Sequence, residues 1–199
     1  MKVWLLQSKL DAGFQSIQLV NYKEYYYKYL MHIQKKGSIE DEWCKLKVYT
    51  IDSDGVKSDF PHFWAKAYLP VFSEKALDVV SDLTHGNIEA LPLDHPEHKY
   101  YAIHVLNTLD AIDYNHSTIK MIKSGLRVGF KKYAFIPSKI IGQHIFRVYL
   151  DDSPESEVFV SDAFKERVAS SSLVGYEFIE VWDSEKEDSD QPFFHSGVV

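Results

Sequence analysis

The sequence predicts an α+β fold: a mixed or mainly antiparallel sheet with a few short helices. Three observations predict it. Short runs rich in Val, Ile, Phe and Tyr are scattered along the chain, as half-buried strands require. Helical periodicity is confined to a few separate segments. Strands and helices do not alternate, as a doubly wound α/β fold would demand. The chain is long enough to bury a core, with 199 residues, 45% of them hydrophobic and 26% charged. That composition excludes disorder over the whole chain.

The elements follow in order. Residues 2–6 and 14–20 read as short strands around a turn at Asp11-Ala12-Gly13. Tyr22, Tyr25, Tyr26, Tyr29, Leu30 and Ile33 then fall on one face of a helix, with Asn21 as its cap and Lys35-Lys36-Gly37 as its stop. Such a Tyr stripe reads first as core and second as a binding surface. Residues 45–51 and 56–60 flank Asp52-Ser53-Asp54-Gly55, which predicts a hairpin. A calcium loop does not fit there, because Phe63 stands where the bidentate Glu should be. Ser73 and Glu74 open a helix whose apolar face is Ala76, Leu77, Val80 and Leu83. Residues 88–93, 100–106, 126–136, 144–150 and 157–160 are strand-like. Ser161 or Asp162 caps a short helix over 163–169, and Tyr176 to Trp182 closes the fold as a strand. The acidic stretch from 183 to 199 reads as a flexible tail, with Phe193-Phe194 as an anchor within it or simply part of it. Residues 1–58 are expected to join the same fold as 59–182.

Charge is uneven. The net of −7 divides into +3 over residues 1–50, −5 over 51–100, +5 over 101–150 and −10 over 151–199. An acidic final quarter disfavours a nucleic-acid partner, whose phosphates need clustered Lys and Arg. It suits a basic protein partner reached by electrostatic steering, or, more plainly, a solvated face. The single Cys44 excludes an internal disulfide framework and a Cys-only zinc site, and fits a reducing compartment. Val3-Trp4-Leu5-Leu6 is too short for the core of a signal peptide. No run approaches the ~18 apolar residues of a membrane span. A cytoplasmic protein is expected.

Local motifs do not assemble an active site. His95-Pro96-Glu97-His98 has a metal-like spacing, but Pro96 breaks the helix that would present it. His104 sits among apolar neighbours and reads as a core His with a hydrogen-bond partner. Asp110 and Asp113 read as capping residues near a helix end. Cys44 has the setting of a small buried apolar residue. Neither a G-x-S-x-G elbow nor a P-loop is present, and Ser124 to Gly129 fits no phosphate-binding fingerprint. No cofactor or metal is expected.

Three stretches taken in order carry a resemblance. The first is Asp59-Phe60-Pro61-His62-Phe63-Trp64 with Pro70-Val71-Phe72-Ser73-Glu74-Lys75-Ala76. The second is Ile88 to Leu93, then Tyr100-Tyr101-Ala102-Ile103-His104-Val105-Leu106 and Leu109-Asp110-Ala111-Ile112-Asp113. The third is His144-Ile145-Phe146-Arg147, then Val158-Phe159-Val160-Ser161-Asp162-Ala163-Phe164-Lys165 and Gly175 to Phe178. Over residues 59–182 this order resembles the immunity-protein family of bacterial polymorphic toxin systems whose type domain is myxobacterial. The resemblance implies a cytoplasmic, non-enzymatic α+β protein that binds and neutralises a cognate toxin by occluding it. The pattern residues Asp59, Phe60, Trp64, Phe72, Ser73, Tyr101, Leu106, Asp110, Phe146, Phe159, Ser161, Asp162 and Phe164 are expected to serve the fold. Toxin contacts are expected where the sequence is idiosyncratic: Tyr22, Tyr26 and Tyr29, His95 and Glu97, and Asp183, Glu185, Glu187 and Asp188. Two alternatives stand beside this. One is a hydrolase that reverses a toxin-installed modification, using His104, Asp110 and Asp113. The other is a small-molecule-sensing module built round an apolar pocket.

Overall fold

The structure, a computed structural model, describes residues 1–10, 13–33, 37–51 and 53–194. The strands are β1 (Lys2–Ser8), β2 (Ser16–Leu19), β3 (Leu46–Thr50), β4 (His62–Phe63), β5 (Val71–Ser73), β6 (Ile88–Asp94) and β7 (Tyr100–Val105). They continue as β8 (Thr108–Leu109), β9 (Thr118–Met121), β10 (Arg127–Lys132), β11 (Ile145–Leu150), β12 (Ser153–Pro154), β13 (Phe159–Ser161) and β14 (Tyr176–Asp183). The helices are α1 (Tyr22–Tyr25), α2 (Glu74–Thr84), α3 (Pro137–Ile140) and α4 (Asp162–Ala169). The fold is mixed α+β, rich in strand and with few helices.

Two sheets carry the body. The first runs β12-β11-β13-β1-β14, with β8 parallel to β11, and the second runs β4-β2-β3-β6-β7-β5. A separate two-stranded ribbon joins β9 to β10. Alternation along β1 explains how the first sheet is covered. Val3 and Leu5 enter one core with Phe146, Phe159 and Tyr133, whereas Trp4 and Leu6 face another. Pairing between β1 and β14 slips between Val3 and Trp4, and this bulge lets the successive Val181 and Trp182 share one core. In the second core, Phe72, Ile103 and Val105 of sheet two meet Leu6, Ile145 and Val160 of sheet one around Val80 of α2 and Phe164 of α4. Each fully buried Phe there contributes roughly 1.5–3 kcal/mol. A third core lies on the other face of sheet two, under Tyr25, Tyr26, Tyr29, Leu30 and Ile33.

The two long helices start the same way. Ser73 Oγ accepts the Ala76 N–H at 3.1 Å, and Ser161 Oγ accepts the Phe164 N–H at 3.3 Å. Ser73 also donates to buried Asp59 at 2.7 Å, and Asp59 in turn accepts the Val174 N–H. Asp162 accepts the Lys2 N–H and the Trp4 indole N–H, tying α4 to β1.

Several sequence expectations are corrected. β1 and β2 do not form a hairpin but belong to different sheets, and residues 11 and 12 of their predicted turn lie outside the described residues. β3 pairs with β2 and β6, and Val56 bridges Phe14, so 45–60 is no hairpin either. Long-range partners outcompeted the local turn. The Tyr segment is helical, but after α1 it widens into a π turn over Tyr26–Leu30, closed by the Met31 N–H on the Tyr26 carbonyl. That extra residue per turn rotates the stripe: Tyr22 is exposed, whereas Tyr25 and Tyr29 lie against the core. The Asn21 side chain does not cap α1, and the expected stop at Lys35-Lys36 lies outside the described residues. Cys44 is exposed.

The acidic run does not begin a free tail. Asp183 is the last residue of β14 and is buried. Its N–H donates to Gln191 Oε1 at 2.9 Å, and Gln191 Nε2 returns to the Asp183 carbonyl at 2.6 Å. Phe194 then packs on Tyr133, and its N–H donates to the Lys131 carbonyl. An amide that closes the turn and an apolar ring that covers the core hold the segment through residue 194 against sheet one. Residues 195–199 lie outside the described residues.

Candidate functional site

A concentration of exposed aromatic rings grows out of the π-widened segment and the loop after β4. Tyr22 stacks on Tyr26 at 5.1 Å, and Tyr27 stands edge-on to Tyr26 at 5.6 Å. Tyr27 is 66% exposed. Lys66 lies over the Tyr26 ring at 5.8 Å and reaches the Met31 carbonyl at 3.5 Å, which joins the loop to the helical segment. Burial holds the Lys66 ammonium below its ordinary range. Trp64 and Tyr68 follow on the same loop, 52% and 41% exposed. The Trp64 indole N–H donates to Ser16 Oγ at 2.9 Å, and its ring meets His62 edge-on. Rigid rings with polar tips and little side-chain entropy to lose are the usual anchors of protein interfaces.

The sequence-predicted contact residues are dispersed around this face. Tyr22 and Tyr26 are in it. Tyr29 turns away to pack on Trp43 at 5.8 Å beside a depression of about 230 Å³. His95 is an internal support: its ring stacks on His98, its Nε2 bonds Thr50 Oγ1 at 2.9 Å, and its Nδ1 accepts the Glu97 and His98 N–H groups. Burial holds the His95 imidazole below its usual range. The Glu97 side chain is exposed. Trp43, packed on Tyr29, donates its indole N–H to the Pro92 carbonyl of β6 at 2.9 Å, which brings the strand leading into the His95 loop close to the Tyr segment. The acidic group belongs to sheet one instead. Asp183 shapes the turn by accepting the Glu185 N–H, Glu185 and Glu187 are exposed, and Asp188 takes Lys132 at 2.7 Å. Among the family-pattern residues, Phe60, Phe72, Phe146, Phe159 and Phe164 are core. Tyr101 and Leu106 are half-buried, and Asp110 is exposed on Lys139. The exposure of Trp64 and Tyr27 was not legible in the sequence, since a Trp beside Phe63 reads as core.

A second concentration of chemistry lies in the crease between the sheets. A cavity of about 140 Å³ is lined by Ser8, His62, Tyr68 and Glu157, among others. Ser8 Oγ and His62 Nδ1 are 2.9 Å apart, and burial holds His62 below its ordinary range, hence neutral. Glu155 and Glu157 hydrogen-bond each other; burial, then the neighbouring charge, pushes Glu155 up to about 8, and burial raises Glu157 too. Deeper in, Glu89 gathers Ser38 Oγ, the Ile39 N–H and His104 Nδ1. Burial raises Glu89, but those donors outweigh it and leave the carboxyl below its usual range. His104, 1% exposed, is held neutral by burial, as a core His with a partner should be. A Ser–His contact becomes a nucleophile only with a group that orients the base and donors for the oxyanion. Here the other face of His62 meets the Trp64 ring.

The hydrolase constellation is not brought together. His104 is committed to Glu89, Asp110 to Lys139, and Asp113 to His116 and the Asn115 N–H. Asp113 thus closes a turn, and no helix end is present for Asp110 or Asp113 to cap. Among the described residues no group of three His, Cys, Asp or Glu is arranged to hold a metal ion. No described helix is long and apolar enough to cross a membrane.

No curated protein matches the chain. A family model does, from inside β6 to the last residue of β14. Residues 91–183 match Imm11, an immunity protein family, in agreement with the toxin-system immunity family that the ordered motifs resemble.

Proposed function

We propose that the chain is a cytoplasmic immunity protein that neutralises a cognate toxin by binding it one to one and covering its working surface. The observation that carries the reading is the family match over residues 91–183. The exposure of Tyr22, Tyr27, Trp64 and Tyr68, on two segments joined by Lys66, supports occlusion as the mode, because exposed aromatic rings are the usual anchors of a protein interface. Tyr26 and Lys66 would brace those anchors from beneath. In this reading the chain transforms nothing. The buried groups of the crease serve the fold, and the partner is a protein.

The test is co-expression in a bacterial host of this chain with the toxin domain encoded beside its gene. Survival, together with co-purification of an equimolar complex, is the expected result. Survival without a complex, at substoichiometric levels of this chain, would overturn occlusion in favour of an enzymatic antidote.

A further inference from the structure

The ribbon of β9 and β10 stands apart from both sheets and is capped by eight consecutive exposed residues, 121–128. Its turn is tight: the Ile122 N–H donates to the Leu126 carbonyl, the Gly125 N–H donates to the Ile122 carbonyl, and Gly125 sits at φ +82°. At this tip Met121, Ile122 and Leu126 are 60%, 48% and 62% exposed. The core has no use for them, since the ribbon is anchored from its inner side by Ile119 and Phe130. Three large apolar side chains gathered on one exposed turn make the kind of patch that marks contact surfaces. The sequence around them is basic, with seven Lys and Arg and no Asp or Glu between Tyr114 and Leu150, while carboxylates from outside that stretch pair with Arg127, Lys132 and Lys139. Lys123 and Lys131 are exposed there.

We propose that this tip is a second docking point for the toxin, inserted into an apolar concavity whose rim carries carboxylates. The proposal rests on the immunity reading and adds a surface that reading does not contain. A polyanion is disfavoured as occupant. Along the ribbon an open depression of about 550 Å³ is lined by Ile119 and Arg127 together with Asp110, Asp151 and Asp152, and Arg127 is already paired with Asp151 at 2.6 Å. These carboxylates interrupt the basic field, whereas a phosphate backbone or an anionic lipid surface rewards an unbroken one. A protein interface instead wants an apolar centre with a rim of both signs, and that is the pattern here.

The experiment uses the full chain and the toxin domain encoded beside its gene. Two variants are compared with wild type: Met121→Ser combined with Leu126→Ser, and Lys123→Glu combined with Lys131→Glu. Thermal melts establish that both remain folded, which is expected because every altered side chain is exposed. The serine variant should weaken toxin binding by about tenfold to a hundredfold, mainly through faster dissociation. The charge reversal should slow association severalfold at low salt and much less at high salt. Unchanged affinity and rates in both variants, with wild type binding normally, would overturn the docking point and leave the immunity reading standing. A wild-type chain that does not bind the toxin at all would overturn both. Sedimentation of wild type, but not the serine variant, with vesicles of phosphatidylglycerol and phosphatidylcholine would reassign the tip to a membrane surface and overturn the proposal.

Discussion

The paired carboxyls of Glu155 and Glu157 make the stability of the protein depend on pH in a direction unusual for acidic residues. Burial and the adjacent charge lift Glu155 from an ordinary 4.5 to about 8 in the folded chain. Below about pH 4.5 both folded and unfolded chains hold the proton, so the stabilisation is fully present. As pH rises toward 8 the unfolded chain releases the proton first. Stability falls through this window and levels off above it. A displacement of that size corresponds to about 5 kcal/mol in a fully shielded site, at about 1.4 kcal/mol per pH unit. The side chain is only partly buried, and solvent screening reduces the figure to about 2 kcal/mol. Glu155→Gln removes the titration while keeping a donor for Glu157. The variant should therefore match wild type at pH 4 and exceed it by about 2 kcal/mol at pH 9, or about 4–8 °C in Tm. Urea melts at pH 4, 6, 7.5 and 9 measure this directly. Wild-type and variant curves that run parallel across the whole range would refute the reasoning, and a wild type that gains stability from pH 5 to 8 would reverse its sign.

Other outcomes follow from single contacts. His104→Ala strips the buried Glu89 carboxylate of a donor, and chemical denaturation should show a loss of about 2–3 kcal/mol, with unchanged toxin binding by the folded fraction. Ser161→Ala should cost about 1 kcal/mol as a lost cap. Ser73→Ala should cost about 2 kcal/mol, because Asp59 also loses its donor; the double variant should be additive in the same melts, since different helices are involved. Gly175 sits at φ +92° with Ser58 where a Cβ would go, so Gly175→Ala should lower stability by at least about 2 kcal/mol. Tyr27→Ala should leave the melting curve within about 0.5 kcal/mol of wild type. In calorimetric titration against the toxin domain it should weaken binding tenfold or more.

The fold class was legible because Ser73 and Ser161 announce helices locally and strand composition does the rest. Pairing was not. β3 lies between β2 and β6, partners that no local signal names, so the hairpin that the Asp-Ser-Asp-Gly sequence suggests does not form. The Tyr stripe was legible as helical, but a single π turn decided which rings reach solvent. Charge alone made residues 183–190 look free, whereas one amide, Gln191, binds their turn. The crease was invisible for a different reason. Ser8, His62 and Glu157 are far apart in sequence and meet only through the packing of β1 against its neighbours. The β9–β10 tip carried a usable signal, Ser124-Gly125 between apolar residues, which is a turn signature.

Occlusion is tested most directly by titrating a fixed amount of the active toxin domain with this chain and following the toxin's own activity. The account predicts a linear fall that reaches zero at one equivalent and does not deepen with time. Complete protection by a small fraction of an equivalent, growing with incubation, would contradict it.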